Sequence, residues 1–178
     1  MIKIIPAILT NNIGDLEDKL KSLKDLVSQV QIDVMDGKFV NNTSVQLKDL
    51  LKISLIKNFN LEVHLMVKNP VKYFKECQKI RTKRVIFHLE AIDDLKRVLN
   101  EADNFNFQKG IALNPKTQIR KIQPYLNKID LVLLMGVNPG FHCQKFIPSV
   151  LNNINILRKI APKLKFEVDG GINAGNIK

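Results

Sequence analysis

The stretch Gln31-Ile32-Asp33-Val34-Met35-Asp36-Gly37-Lys38-Phe39-Val40 reads as an apolar strand that delivers a carboxylate at its end and then breaks into a glycine turn. Near the C-terminus the run Lys165–Asp169, followed by Gly170-Gly171, has the same form. Five further β-branched runs punctuate the chain: Ile2–Leu9, Leu61–Met66, Arg84–His88, Lys109–Leu113 and Leu131–Met135. Between them lie segments with helical spacing, such as Leu16, Leu20, Leu23, Leu26 and Val27, or Val150, Leu151, Ile154, Leu157, Ile160 and Ala161. Strands alternating with helices of this length predict βαβ units and a parallel sheet. The expected fold is α/β, a (β/α)8 TIM-barrel type, with about seven strands present and the eighth strand and helix missing. The expected organisation is one domain over residues 1–178, truncated in its seventh helix. In a barrel of this kind the reactive residues stand at the C-terminal ends of the strands.

Composition narrows the function classes. A 45% hydrophobic and 25% charged chain of 178 residues is that of an ordinary globular domain with a real core. No apolar run approaches a membrane span, and Met1-Ile2-Lys3-Ile4-Ile5-Pro6 lacks the layout of a signal peptide. The two cysteines, Cys77 and Cys143, make neither a disulfide framework nor a metal-knuckle spacing. The expected compartment is therefore cytoplasmic, with no membrane partner. The net charge of +11 raises the question of nucleic acid, but the lysines are scattered and Trp is absent, so stacking platforms are poorly supplied. Their reading is a solvated helical surface.

Side chains two apart on a strand share a face. Gln31, Asp33 and Met35 therefore share one face of their strand, and His64 shares one with Met66. A buried parallel strand is ordinarily apolar on both faces, so Gln31, Asp33, His64 and Asp169 break the pattern, and they do so near strand ends. Each alone reads as a cap or a satisfied loop contact. Jointly they read as a site, in which two carboxylates and a neutral imidazole form a divalent-metal set. Two carboxylates opposed across a small substrate can also take a proton from one side and return one from the other.

The ordered motifs identify a relative. Pro6-Ala7-Ile8-Leu9, Asp33 to Asn42, His64-Leu65-Met66-Val67, Phe87-His88-Leu89-Glu90-Ala91, Gly110 to Pro115, Met135-Gly136-Val137-Asn138-Pro139-Gly140-Phe141, Gln144-Lys145-Phe146 and Val168-Asp169-Gly170-Gly171-Ile172 occur in sequence order. The chain thereby resembles the ribulose-phosphate 3-epimerase family of sugar-phosphate 3-epimerases. The resemblance implies a metal-assisted proton transfer at C3 that interconverts D-ribulose 5-phosphate and D-xylulose 5-phosphate or a related ketose phosphate. It implies Asp33 and Asp169 as the catalytic pair. Asp33, His64, Asp169 and Gln31 would hold one divalent ion, zinc first, with manganese, iron or magnesium as alternatives. Ala7, His64, Met35, Met66, Met135, Gly140, Phe141, His142, Cys143, Gly170 and Gly171 would bind the phosphorylated ketose. The unpaired edges of the first and seventh strands in an incomplete barrel predict self-association, as a homo-oligomer that covers the gap or as a poorly soluble aggregate.

The departures from the family pattern matter too. Gln31 stands where the family has a metal-binding histidine, and an amide oxygen is a weak neutral ligand. Ala7 replaces a substrate-contacting serine. His142 and Cys143 replace two glycines, whose backbones reach conformations other residues resist. A thiol–imidazole nucleophile at His142 and Cys143 is disfavoured, because neighbours seldom aim both groups at one target. The alternative function is a degenerate, non-catalytic barrel that binds a phosphorylated ligand or a protein partner. A related barrel decarboxylase is disfavoured, since Asp33-Val34-Met35-Asp36 has no lysine between its carboxylates.

Overall fold

In a computed structural model, which describes residues 2–141 and 143–177, seven parallel strands lie side by side in sequence order. They are β1 (Ala7–Ile8), β2 (Gln29–Met35), β3 (Asn60–Met66), β4 (Arg84–His88), β5 (Gln108–Leu113), β6 (Leu131–Met135) and β7 (Lys165–Asp169). Helices α1 (Ile13–Leu23), α2 (Leu47–Leu50), α3 (Val71–Lys79), α4 (Leu95–Ala102) and α5 (Val150–Ile160) cover the outer face.

The alternation of side chains builds two different interiors. The alternate set facing outward, including Val30, Ile32, Val34, Val63, Leu65, Val85, Phe87, Ile111, Val132 and Leu134, is continuous with the buried faces of the helices. Leu16 and Leu20 of α1 and Val150, Ile154 and Leu157 of α5 supply the i, i+4, i+7 stripes that dock there. Full burial of each such side chain stabilises by about 1.5–3 kcal/mol. Asn12 starts α1 by accepting the backbone N–H of Asp15, and Asp94 starts α4 by accepting that of Arg97.

The concave face is different. Its apolar part is a small cluster of Ile86, Ala112, Leu131, Leu133 and Met135, with Met35 and Met66 at the upper rim, and buried polar groups, Gln31, Asp33, Glu62, His64, Arg84 and His88, stand among them. Curling is visible in the side-chain contacts. Gln31 of β2 and Asp169 of β7 stand five strands apart, roughly 24 Å in a flat sheet at about 4.8 Å per strand, yet they are hydrogen-bonded at 2.9 Å. The sheet is therefore rolled into the TIM-barrel type that the strand–helix alternation predicts.

Three local expectations are corrected. The first strand pairs only over Ala7–Ile8, far less than Ile2–Leu9. Pro6 has no N–H to give and offers only its carbonyl, which accepts from the Gln31 N–H. Ile2 and Ile4, 71% and 68% exposed, find no packing partner among the described residues. The first helix ends at Leu23 and leaves Leu26 in solvent, because a hydrogen-bonded turn onto the Leu23 carbonyl redirects the chain. Between β5 and β6 the described residues form two 3-10 segments, Ile119–Lys121 and Gln123–Lys128, rather than an α-helix. Pro124 removes a ladder donor, and buried Ile119 and Ile122 stand at the spacing of a three-residue turn.

Candidate active site

The pairing register assembles the site. Asp33 of β2 is directly opposite His64 of β3, and Met135 of β6 is opposite Asp169 of β7. Curling then brings β7 to β2. The amide nitrogen of Gln31 donates to Asp33 Oδ1 at 3.0 Å and to Asp169 Oδ2 at 2.9 Å, bridging the carboxylates. His64 Nδ1 lies 3.1 Å from Asp33 Oδ1 and 3.7 Å from Asp169 Oδ2. One ligand atom from each of Asp33, His64 and Asp169 falls within 4.8 Å of the others.

Behind His64 lies a second imidazole that the sequence reading did not single out. His64 Nε2 and His88 Nε2 are 2.9 Å apart, and His88 Nδ1 is 3.3 Å from Glu90 Oε2. Both rings are fully buried, and Phe39 packs its ring 4.8 Å from that of His88. The strand-face rule had the means to find His88, since it shares a face with Arg84 and Ile86.

Burial and neighbouring charge perturb these groups in opposite directions. Burial raises the Asp169 carboxyl above its ordinary range, and the Asp33 charge adds to this, against the opposing effects of His64 and the Gln31 hydrogen bond. Burial alone would lower His64, but the hydrogen bond and charge of Asp33, then the charge of Asp169, outweigh it and raise the ring. His88 is pushed down to about 4, chiefly by burial and against the hydrogen bond of Glu90. It therefore sits neutral in the wall.

A cavity of about 180 Å³ opens over the carboxylates. Ala7, Met35, Met66, Met135, Gly140, Phe141, Cys143, Gly170 and Gly171 line it together with Asp33 and Asp169. His64 lies beneath this lining, and His142 falls outside the described residues. Leu9, Val137, Pro139 and Gln144 also line it, and pattern alone did not mark them. Gln144 ties the loop after β6 by donating to the carbonyls of Asn138 and Phe141, and Asn42 reaches across from the loop after β2 to the Gly140 carbonyl at 2.7 Å. A roomier depression of about 440 Å³ on α4 is open and lined by mixed charges, with none of the clustered titratable groups. Size is no guide to chemistry here.

Two backbone positions shape the rim. Gly171 has φ of 72°, and a Cβ there would stand 2.6 Å from the Phe146 nitrogen, so both conformation and space require glycine. Cys143 has φ of 62° and is not glycine. A side chain is thus held in the left-handed region, at one of the two positions where glycine was expected.

A divalent ion fits this donor set. Two carboxylates and an imidazole supply hard oxygen and nitrogen donors, and among the described residues neither Asp33 nor Asp169 is paired with lysine or arginine.

Comparison with known proteins agrees with the geometry. Solved structures with the same fold include tryptophan synthase from Mycobacterium tuberculosis, at TM-score 0.70 and 11% identity over 95% of this chain and 74% of that one. A mutant tryptophan synthase alpha-subunit from Pyrococcus furiosus matches at TM-score 0.70 and 12% identity, over 94% of this chain and 78% of that one. These likenesses establish the fold alone. Sequence relatives go further. A ribulose-phosphate 3-epimerase of Buchnera aphidicola subsp. Baizongia pistaciae is 38% identical over 92% of this chain and 73% of its own length. That of Bacillus subtilis is 36% identical over 97% and 82%. The cytoplasmic isoform from Oryza sativa subsp. japonica is 31% identical over 98% and 79%. The family model described as ribulose-phosphate 3 epimerase matches residues 3–178. With seven strands curled about opposed aspartates, and with these relatives, the chain belongs to the ribulose-phosphate 3-epimerase family, enzymes of the isomerase class that epimerise pentose phosphates.

Proposed function

We propose that this protein interconverts D-ribulose 5-phosphate and D-xylulose 5-phosphate by two-base proton transfer at C3, with Asp33 and Asp169 as the two bases. The observation that carries the reading is the meeting of these carboxylates at the floor of one cavity, on strands five apart in the sheet. One carboxylate takes the C3 proton, and the electrons of the broken C–H bond form the C2–C3 double bond of an enediolate. The other returns a proton to the opposite face of C3. The roles exchange in the reverse direction.

Asp33, His64 and Asp169 would hold one divalent ion, with zinc the first candidate and manganese, iron or magnesium the alternatives. Such an ion would polarise the substrate carbonyl and offset the negative charge that develops on its oxygen. Gln31 holds the two carboxylates together through its amide nitrogen, and a turn of the amide would offer its oxygen instead. Met35, Met66 and Met135 give the cavity an apolar wall that keeps water from the reacting carbon. Gly140, Phe141, Cys143, Gly170 and Gly171 are assigned the sugar phosphate, since they line the cavity.

No helix among the described residues is long and apolar enough to cross a membrane. The printed name of the rice relative supports a cytoplasmic location. The exposed Ile2 and Ile4 support self-association, which sedimentation would measure.

The decisive experiment follows xylulose 5-phosphate formation from ribulose 5-phosphate in deuterated water, with metal content measured on the same sample. Turnover with deuterium at C3 and about one ion per chain is the expected result. A protein that binds the sugar phosphate without turnover would replace this reading with a non-catalytic barrel.

A further inference from the structure

His64 can hold a cation beside Asp33 and Asp169 only through Nδ1, the nitrogen that faces them. That nitrogen must then carry a lone pair, and the proton of the neutral ring must sit on Nε2. Nothing in the carboxylate pair imposes this; on the contrary, Asp33 Oδ1 at 3.1 Å favours a proton on Nδ1. The opposite bias has to come from behind the ring.

It comes from Glu90. Its Oε1 accepts the backbone N–H of Asn114 at 2.9 Å and the Thr117 hydroxyl, which fixes the carboxylate, and its Oε2 faces His88 Nδ1. A carboxylate only accepts, so His88 Nδ1 carries the proton. His88 is fully buried, where an imidazolium against a second imidazole is costly, so its Nε2 keeps a lone pair. Across the 2.9 Å contact two lone pairs or two protons repel, so His64 Nε2 donates. We propose that Glu90 and His88 are positioning residues that set the tautomer of His64, turning its Nδ1 lone pair toward Asp33 and Asp169. This rests on the ion reading of the site given above, and extends it to two residues that touch neither the ion nor the substrate. The logic is that of a carboxylate–histidine orienting a ligand from outside the coordination sphere, lengthened by one imidazole.

The arrangement has a directional test. In Glu90→Gln the Asn114 N–H still claims an oxygen, which leaves the new amide N–H2 facing His88 Nδ1. Every hydrogen bond along the chain then reverses, and His64 is left with its proton on Nδ1. Long-range ¹H–¹⁵N spectra of the metal-free protein, under alkaline conditions that keep both rings neutral, read each tautomer directly. Zinc affinity is measured beside them by competition with a chromophoric chelator.

The wild type should show His88 Nδ1–H and His64 Nε2–H. Glu90→Gln should show both reversed and bind zinc roughly 10–100-fold more weakly. Glu90→Asp, which keeps a carboxylate though it fits less well, should retain the wild-type tautomers and more of the affinity. A packing role alone would rank the two variants the other way. Unchanged tautomers in Glu90→Gln, or zinc affinity within twofold of wild type, would overturn the proposal. So would His88 Nε2–H in the wild type, a result that needs no variant to fold. A wild type that takes up no zinc would defeat the ion reading, while the tautomer reversal would still decide the hydrogen-bond chain.

Discussion

Two charged clusters share the concave face of the sheet, one layer apart, and they solve the burial of carboxylates in different ways. In the lower layer Arg84 of β4 donates to Glu62 of β3 and to Glu167 of β7, and to Gln108 beside it. Burial, then the charge of Glu62, still raises Glu167 to about 7, against the opposing pull of Arg84. That cluster carries its own cation and opens onto no cavity of the site. In the upper layer Asp33 and Asp169 have only the Gln31 amide and the His64 ring between them. Buried carboxylates need a cation or a proton. The lower pair has one built into the chain, and the upper pair leaves room for one from outside. The contrast is the geometric ground on which the lower cluster reads as structural and the upper one is proposed as the reactive site.

Breaking the upper cluster should act on chemistry and spare the fold. Asp33→Asn and Asp169→Asn keep shape and remove a base, so epimerisation should fall by roughly 10²–10⁴-fold or more, with circular dichroism unchanged. Activity that survives either change would remove the two-base scheme.

Breaking the lower cluster should do the reverse. Arg84→Met strands two carboxylates in the interior and should cost about 3–5 kcal/mol in chemical denaturation. Adding Glu62→Leu and Glu167→Leu should recover most of that loss, because an apolar floor needs no counter-charge. A single variant as stable as wild type would mean that Arg84 neutralises nothing.

The comparison can also be sharpened. Gln31→His replaces an amide by a nitrogen donor that suits zinc, and calorimetric titration should show binding tightened by about tenfold, or ~1.4 kcal/mol. The smallest expected effect lies on the rim. Cys143→Gly should relieve a left-handed backbone held by a side chain, and raise stability by about 1 kcal/mol once the entropy of glycine is set against the strain.

What the sequence revealed follows from where physics is local. Strands β2 to β7 were legible because short apolar, β-branched runs set between helical stretches have few other uses, and Asp33, His64 and Asp169 stood out as polar residues near the ends of those runs. The extent of β1 was not legible. Ile2, Ile4 and Ile5 have strand character, yet pairing depends on a partner's N–H and C=O groups, which composition does not encode. His88 and Glu90 were in view only as part of a motif, because their role depends on a contact across the strand pair. The lower cluster was invisible for the same reason: Glu62, Arg84 and Glu167 make sense only when β7 has come round to β4. Gln31 was expected as a poor ligand, and only the curled sheet reveals its nitrogen between two carboxylates.

The Gln31–Asp169 hydrogen bond also orders events in time. Neighbouring strands join residues such as Asp33 and His64, 31 apart in the chain, whereas this bond closes a loop of 138 residues. Loop closure becomes dearer by about 0.6 kcal/mol with each doubling of length, so this last contact costs about 1.3 kcal/mol more than a strand-to-strand step. Strand pairing can therefore zip along the sheet in short steps and bury the outer core while the two aspartates are still far apart. On this ordering the proposed site would be completed last. An ion held by Asp33, His64 and Asp169 would act as the clasp that keeps the rolled sheet shut, slowing its unrolling more than it speeds its assembly.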